Sequence, residues 1–192
     1  TGAPLAYMSA NILSAYRTGA VPGVGFKYFA REDAKTVGII GPGVMSKTAF
    51  DAAMAVRPGI ETVRIKGSSL TSPSAQKFAD RVRRKYPSVR NIEIVATEEE
   101  AVRDADIVEI ATSSPTGDPS TYPYLNEAWL KPGAVVACPA AARFDDDFIL
   151  HRARMVTDNI MLYEAWADEM PYPAYETIPI PAVHCMDLIH DG

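Results

Sequence analysis

Residues 37–46 read VGIIGPGVMS, a short apolar run that leads into two glycines separated by one residue and then into a small residue. Apolar residues at helical spacing follow, so the segment predicts a strand, a tight turn and a helix. In such a unit Gly41 permits the turn, Gly43 lets backbone N–H groups approach a pyrophosphate, and Ser46 allows close packing of the helix on the strand. An ordinary strand-to-helix connection is the alternative, but the further strands downstream favour dinucleotide binding. The predicted cofactor-binding residues of this loop are Gly41, Gly43, Val44 and Met45.

Six short runs rich in apolar and β-branched residues predict strands. They are residues 36–40, 62–65, 91–95, 107–111, 134–138 and 155–157. Most are separated by segments with helical character, including 44–56 and 75–86, and Thr97 with Glu100 has the form of a capping box that starts a short helix. Strands that alternate with helices predict a doubly wound α/β fold with a mostly parallel sheet.

The chain is expected to form a single dinucleotide-binding domain over residues 1–192, with a Rossmann core at about 36–158 and flanking segments at 1–35 and 159–192. A loop rich in proline and glycine is predicted at 115–123, and four prolines within 171–181 predict an extended C-terminal arm. The start, TGAP, lacks an initiator methionine. We therefore expect a fragment or a processed piece.

The composition excludes several classes of protein. The net charge is -5 and the basic residues are scattered, so no basic surface for nucleic acid is expected. No apolar run is long enough to span a membrane. The two cysteines, Cys138 and Cys185, are too few for a disulfide framework, and the three histidines have no clustered partners that would predict a metal site. A cytoplasmic location fits these features best.

The end of the second strand bears on the choice of cofactor. NAD-binding units usually carry Asp or Glu there to accept hydrogen bonds from the ribose, whereas a 2′-phosphate needs donors and positive charge. Here the chain reads VRIKGSS at 63–69, without a carboxylate in that place. Lys66, Ser68 and Ser69 are therefore predicted to bind the cofactor, with NADP preferred over NAD. The alternative is that Lys66 is a solvated strand end.

Several segments resemble, in order, the ornithine cyclodeaminase and mu-crystallin family. They are GAPL at 2–5, LSAYRTGA at 13–20, VGIIGPG at 37–43, AVRDADIV at 101–108 with ATSS at 111–114, and LKPGA at 130–134. The Arg-Thr pair on a helix shortly before the glycine loop is more specific than the loop itself. The resemblance implies that a further substrate-binding and dimerising domain is built from segments before and after this stretch.

The resemblance also implies roles for individual residues. Arg17 matches an arginine that helps to hold a substrate carboxylate, for which a planar fork of donors is suited. Thr18 matches a residue near the cofactor phosphates. Thr112, Ser113 and Ser114 match the turn after the fourth strand, on the nicotinamide side. For Arg17 without this resemblance, an ion pair on the helix surface would be the first interpretation.

One departure from the family pattern concerns the substrate amine. Ornithine cyclodeaminases carry an acidic residue just after the fifth strand, where this chain reads CPAAAR at 138–143. Asp145, Asp146 and Asp147 are interpreted as helix-capping carboxylates and not as its replacement. Ammonia release from ornithine is disfavoured for this reason. The loop residues Asp118, Tyr122 and Tyr124 are candidates for substrate specificity, or else they only pack the loop.

The resemblance implies hydride exchange between a nicotinamide and the carbon that bears an amine. We therefore expect an NAD(P)-dependent oxidoreductase for an amino acid or imino acid, such as a ketimine reductase or an opine-type dehydrogenase, and a homodimer in the full-length protein. Two alternatives stay open: a lyase similar to ornithine cyclodeaminase, and a non-catalytic, crystallin-type NADP-binding protein. The chain without the further domain is expected to bind cofactor without efficient turnover.

Overall fold

The computed structural model describes residues 2–115, 118–162 and 165. The described strands form one five-stranded sheet in the order β3-β2-β1-β4-β5, with every pair parallel. This confirms the predicted doubly wound α/β fold. The strands are β1 (Thr36–Ile40), β2 (Thr62–Lys66), β3 (Asn91–Val95), β4 (Ile107–Ile110) and β5 (Val135–Ala137). The α-helices are α1 (Asn11–Phe29), α2 (Val44–Val56), α3 (Pro73–Lys85), α4 (Glu98–Val102) and α5 (Asp146–His151).

The predicted sixth strand at 155–157 is wrong for the described part of the chain. Residues 153–156 have no regular structure, and Thr157 alone takes part in an isolated bridge. Three residues between Arg154 and Asp158 are too short a run to specify a ladder by their pattern. The proline-rich segment 171–181 lies outside the described residues.

Two apolar clusters cover the two faces of the sheet. Phe26 of α1, Phe50 of α2 and Phe78 of α3 are buried in the first cluster with Ile39. The second contains Ile40 and the buried residues of α4. Neighbouring residues of a strand point to opposite faces, which explains why Ile39 and Ile40 join different clusters.

Helix α1 packs closely on α2 through small residues. A Cβ added to Gly19 would lie 2.2 Å from Thr48 Oγ1, and one added to Gly23 would lie 2.5 Å from the Cβ of Ala52. The Thr48 hydroxyl also donates a hydrogen bond to the carbonyl of Ala15, at 2.7 Å. These contacts fix α1 beside the start of α2.

The amino-terminal edge of the sheet is held by Asp106. One of its oxygens accepts hydrogen bonds from the backbone N–H groups of Lys35 and Thr36, at 2.8 and 3.1 Å, and the other is paired with the Lys131 ammonium. Burial alone would raise the pKa of this carboxyl, but these bonds outweigh it and lower the pKa. Asp106 therefore joins the starts of β1 and β4, at the edge opposite the glycine loop.

Candidate functional site

The turn after β1 requires glycine at position 41. Gly41 has a φ of +84°, and an added Cβ would lie 2.6 Å from the carbonyl oxygen of Ala111. Its N–H donates to the carbonyl of Lys66 at 3.0 Å, and its own carbonyl accepts the buried Ser46 hydroxyl at 2.7 Å. Gly41 thus brings the ends of β1, β2 and β4 together, as the sequence predicts for a tight turn.

Gly43 has no such structural requirement. It is exposed, it precedes α2 as its N-cap with φ -86° and ψ -162°, and the nearest atom to an added Cβ is the Gly41 carbonyl oxygen at 4.0 Å. No side chain of the described residues caps the helix at this position. The first N–H groups of a helix lack partners within the helix and attract anions. Space and anion-binding donors therefore lie at the same point.

Thr18 lies beside this helix start. A cavity between α1 and α2 is lined by Thr18, Val44 and Met45 together with the α1 residues Asn11, Ser14 and Ala15. Arg17 precedes Thr18 and is exposed, and within the described part of the chain no hydrogen bond or ion pair holds its side chain. The structure thus brings Thr18, Val44 and Met45 together and leaves the Arg17 guanidinium free toward solvent.

The turn after β4 joins the same edge of the sheet. Thr112 N lies 2.9 Å from the position of a Cβ on Gly41, so this turn and the glycine loop are in direct proximity. The hydroxyls of Thr112 and Ser114 are hydrogen-bonded to each other at 3.1 Å, and Ser114 also donates to the carbonyl of Thr121 at 3.0 Å. Ser113 is exposed. Hydroxyl groups are therefore placed at the carboxyl end of the central strands.

The end of β2 contains an interaction that the sequence did not predict. The Lys66 ammonium is 3.2 Å from a carboxylate oxygen of Glu98, the first residue of α4, and it donates to the Gly67 carbonyl at 2.9 Å. Ser68 and Ser69 are exposed in the loop that follows. The interpretation of Lys66 as a solvated strand end is wrong, because its side chain is only 17% exposed.

Two further predictions concern the segments after β4 and β5. Asp145 occupies the N-cap of α5, but its carboxylate accepts hydrogen bonds from the Tyr124 hydroxyl at 2.9 and 3.0 Å and does not cap the helix. Its interpretation as a capping side chain is therefore wrong, while Asp146 and Asp147 lie in the first turn as expected. Asp118 caps a short 3-10 helix at Pro119–Thr121. Asp118 and Asp145 therefore form hydrogen bonds within the segments after β4 and β5.

Glu109 is a buried carboxyl that sequence reasoning missed. It is 1% exposed in β4, between Ile39 of β1 and Ala137 of β5, and neither of its oxygens has a hydrogen-bond partner among the residues that the structure describes. Burial raises the pKa of this carboxyl to about 8, so that it is neutral at pH 7. The available signal was one charged residue in an otherwise apolar run.

Known proteins share sequence and fold with this chain. The model of the ornithine cyclodeaminase/mu-crystallin family matches residues 1–172. Delta(1)-pyrroline-2-carboxylate reductase of Bacillus cereus is 37% identical over 116 residues, which are 60% of this chain and 34% of that protein. Ketimine reductase mu-crystallin of Macropus fuliginosus is 28% identical over 162 residues, 82% of this chain and 47% of that protein.

A solved structure extends the comparison to the whole fold. Thermococcus litoralis Delta(1)-pyrroline-2-carboxylate reductase, in complex with NADH and L-proline, superposes with a TM-score of 0.73 at 26% identity, covering 100% of this chain and 58% of that one. The chain spans between 34% and 48% of the length of the curated relatives it matches. By its family match, its sheet order and its glycine loop, the chain belongs to the ornithine cyclodeaminase/mu-crystallin family.

Proposed function

We propose that this chain is the cofactor-binding part of an NAD(P)-dependent oxidoreductase that acts on an amino acid or imino acid. The observation that carries the proposal is Gly43, a glycine at an exposed, uncapped helix start where the protein itself leaves room for a side chain. A ligand whose phosphates approach the helix N-terminus explains both the missing side chain and the missing cap.

The other residues of this edge fit the same ligand. The N–H groups at Val44 and Met45 are donors for a pyrophosphate, and Thr18 borders the same cavity. The ribose of the adenosine half fits at the end of β2, beside Lys66, Ser68 and Ser69. Thr112, Ser113 and Ser114, which follow β4 at the same edge, would border the nicotinamide half. Bound across this edge, a nicotinamide dinucleotide supplies hydride exchange with a carbon in a C–N or C=N bond.

The substrate class is supported by Arg17 and by the relatives. Arg17 is an unpaired guanidinium in the described part of the chain, one residue from the cavity that Thr18 borders, and a planar fork of donors binds a carboxylate in a bidentate way. The Thermococcus litoralis reductase was solved with L-proline, which carries such a carboxylate. The part of Arg17 is to hold the substrate and to orient its reacting carbon.

The proposal extends to the oligomeric state and the cellular location of the full-length protein. An archaeal alanine dehydrogenase of similar fold was solved as a dimer with bound NAD, which supports a homodimer for the full-length protein. A cytoplasmic location is consistent with Cys138, a free cysteine among the described residues, because a reducing compartment keeps thiols reduced.

The test of the reaction uses the full-length protein and measures two products side by side. We expect oxidation of a reduced nicotinamide cofactor in the presence of a cyclic imino acid that carries a carboxylate. Ammonia release from ornithine without net change in the cofactor would instead support the lyase. Cofactor binding without either reaction would support a non-catalytic binding protein.

A variant separates substrate binding from cofactor binding. Arg17→Lys keeps the charge and loses the fork, so we expect a higher KM for the imino acid at an unchanged cofactor affinity. Arg31→Lys is the control, because Arg31 is exposed and hydrogen-bonded to Asp33 near the far end of α1. Equal kinetics in both variants would remove Arg17 from the substrate site.

A further inference from the structure

Both basic side chains of β2 are engaged by carboxylates. Lys66 is paired with Glu98 at 3.2 Å, and Arg64 is paired with Glu93 of β3 at 3.5 Å. The guanidinium of Arg64 also donates to the carbonyl of Arg103. The residues that follow β2 contribute neutral hydroxyls, of which Ser69 is already hydrogen-bonded to Thr71 at 3.3 Å.

This charge arrangement bears on the difference between NADH and NADPH. The two cofactors differ by one phosphate on the ribose of the adenosine half, which adds close to two negative charges at neutral pH. Such a phosphate requires donors and positive charge at the end of the second strand, whereas a free hydroxyl does not. Lys66 stands at that strand end, but its charge is compensated by Glu98.

We propose that Glu98 determines the nucleotide preference: by holding the Lys66 ammonium, it withholds the charge that a 2′-phosphate requires and favours NADH over NADPH. This inference rests on the proposed function. The inference also accounts for the missing acidic residue at the end of β2. A carboxylate reaches Lys66 from the start of α4, the helix that follows β3.

The three successive glutamates of α4 have different tasks, which isolates the effect of Glu98. Glu100 completes the capping box by accepting hydrogen bonds from the N–H groups of Ala96 and Thr97, at 2.8 and 3.2 Å. Glu99 is paired with Arg103, one turn further along. Glu99→Gln therefore changes the charge of the same helix by the same amount without touching Lys66, and it serves as the matched control.

The experiment titrates the full chain with NADH and with NADPH in four forms: wild type, Glu98→Gln, Glu99→Gln and the double variant Lys66→Met with Glu98→Gln. We expect wild type to bind NADH more tightly. In Glu98→Gln the freed ammonium is expected to tighten NADPH binding about tenfold, which is the usual contribution of one hydrogen bond to a charged group. The affinity for NADH is expected to stay unchanged. The double variant loses this gain, and Glu99→Gln does not show it.

The outcomes separate this inference from the proposed function. If Glu98→Gln and Glu99→Gln bind both nucleotides with the same ratio of NADH to NADPH affinity, the inference is overturned but the proposed function stands. The same follows from a wild type that prefers NADPH, or from a gain that survives the removal of Lys66. If wild type binds neither nucleotide, the proposed function fails and the inference fails with it. Thermal unfolding of each variant shows that the comparison is made on folded protein.

Discussion

Replacing Glu109 with Gln removes a buried ionisable carboxyl from the middle of the sheet. Its pKa is about 8 in the folded protein, against an ordinary value of 4.5. Below the lower value the group is protonated in both states. Between the two values the folded protein keeps a proton that the unfolded chain has released, so the free energy of unfolding falls by about 1.4 kcal/mol per pH unit, and by at most about 5 kcal/mol in total.

The assay is urea unfolding at about pH 5 and about pH 8. Over this interval the advantage of Glu109→Gln over wild type is expected to grow by about 4 kcal/mol, because the amide does not ionise. Glu93→Gln is the matched control, since Glu93 also lies in a strand but is exposed on β3. Glu109→Leu adds a second measure, because an apolar side chain also removes the unpaired polar atoms, and it is expected to be more stable than wild type at pH 8.

Cys138 is the titratable neighbour to consider in this experiment. Part of the residue reaches the surface, yet the packing around its thiol, and after it the charge of Glu109, raises the pKa of that thiol. The ordinary pKa of a cysteine thiol is 9.0, so up to pH 8 the Cys138 thiol is mostly protonated in the unfolded chain as well as in the folded protein, and it adds little slope. If Glu109→Gln and wild type show the same dependence of stability on pH, Glu109 is not desolvated and the reasoning from its burial is refuted.

Two further predictions concern the contacts that hold α2. Asp51→Asn is expected to destabilise the protein by about 2 kcal/mol at pH 7, because Asp51 accepts hydrogen bonds from Arg81, Lys85 and Tyr86. These bonds outweigh burial and lower the pKa of Asp51, so the loss of stability should vanish in acid, where the wild-type carboxyl is protonated. A loss that does not depend on pH would contradict the ionic explanation. Gly19→Ala is expected to lower the free energy of unfolding in urea by about 1–3 kcal/mol, because the new Cβ overlaps Thr48. Gly25→Ala is the control and should cause no such loss, because its Cβ would lie 3.9 Å from the nearest atom. Equal stability of the two variants would contradict the close packing of α1 on α2.

The central part of the fold was predictable because several local signals agreed there. The glycine loop, the helix at 44–56 and the capping box of Thr97 and Glu100 all lie where the sequence placed them. Each is defined by neighbouring residues: a turn that needs positive φ, apolar residues at helical spacing, and a reciprocal pair of hydrogen bonds. The resemblance added Thr18 and Arg17, which no local pattern marks.

The features that the sequence did not reveal depend on contacts between distant segments. Glycines at 19 and 23 weaken a helix by propensity, and the approach of α2 explains why α1 contains them. The partner of Lys66 comes from the start of α4, and the isolation of Glu109 follows from burial on both sides of β4. The run at 155–157 failed as a strand because a pattern of three residues does not specify a partner.

The most direct test of the account is a titration of wild type and of Gly43→Val with NADH, with Gly25→Ala as the control. The backbone at Gly43 suits any residue, and apart from the two chain neighbours no atom of the described residues lies closer than 4.0 Å to an added Cβ. The variant is therefore expected to stay folded, with a loss of only about 1 kcal/mol because valine is a poorer N-cap than glycine. Its affinity for NADH is expected to fall about a hundredfold, the size of two lost hydrogen bonds to a charged group. An unchanged affinity in a folded Gly43→Val protein would contradict the assignment of this helix start as the cofactor site.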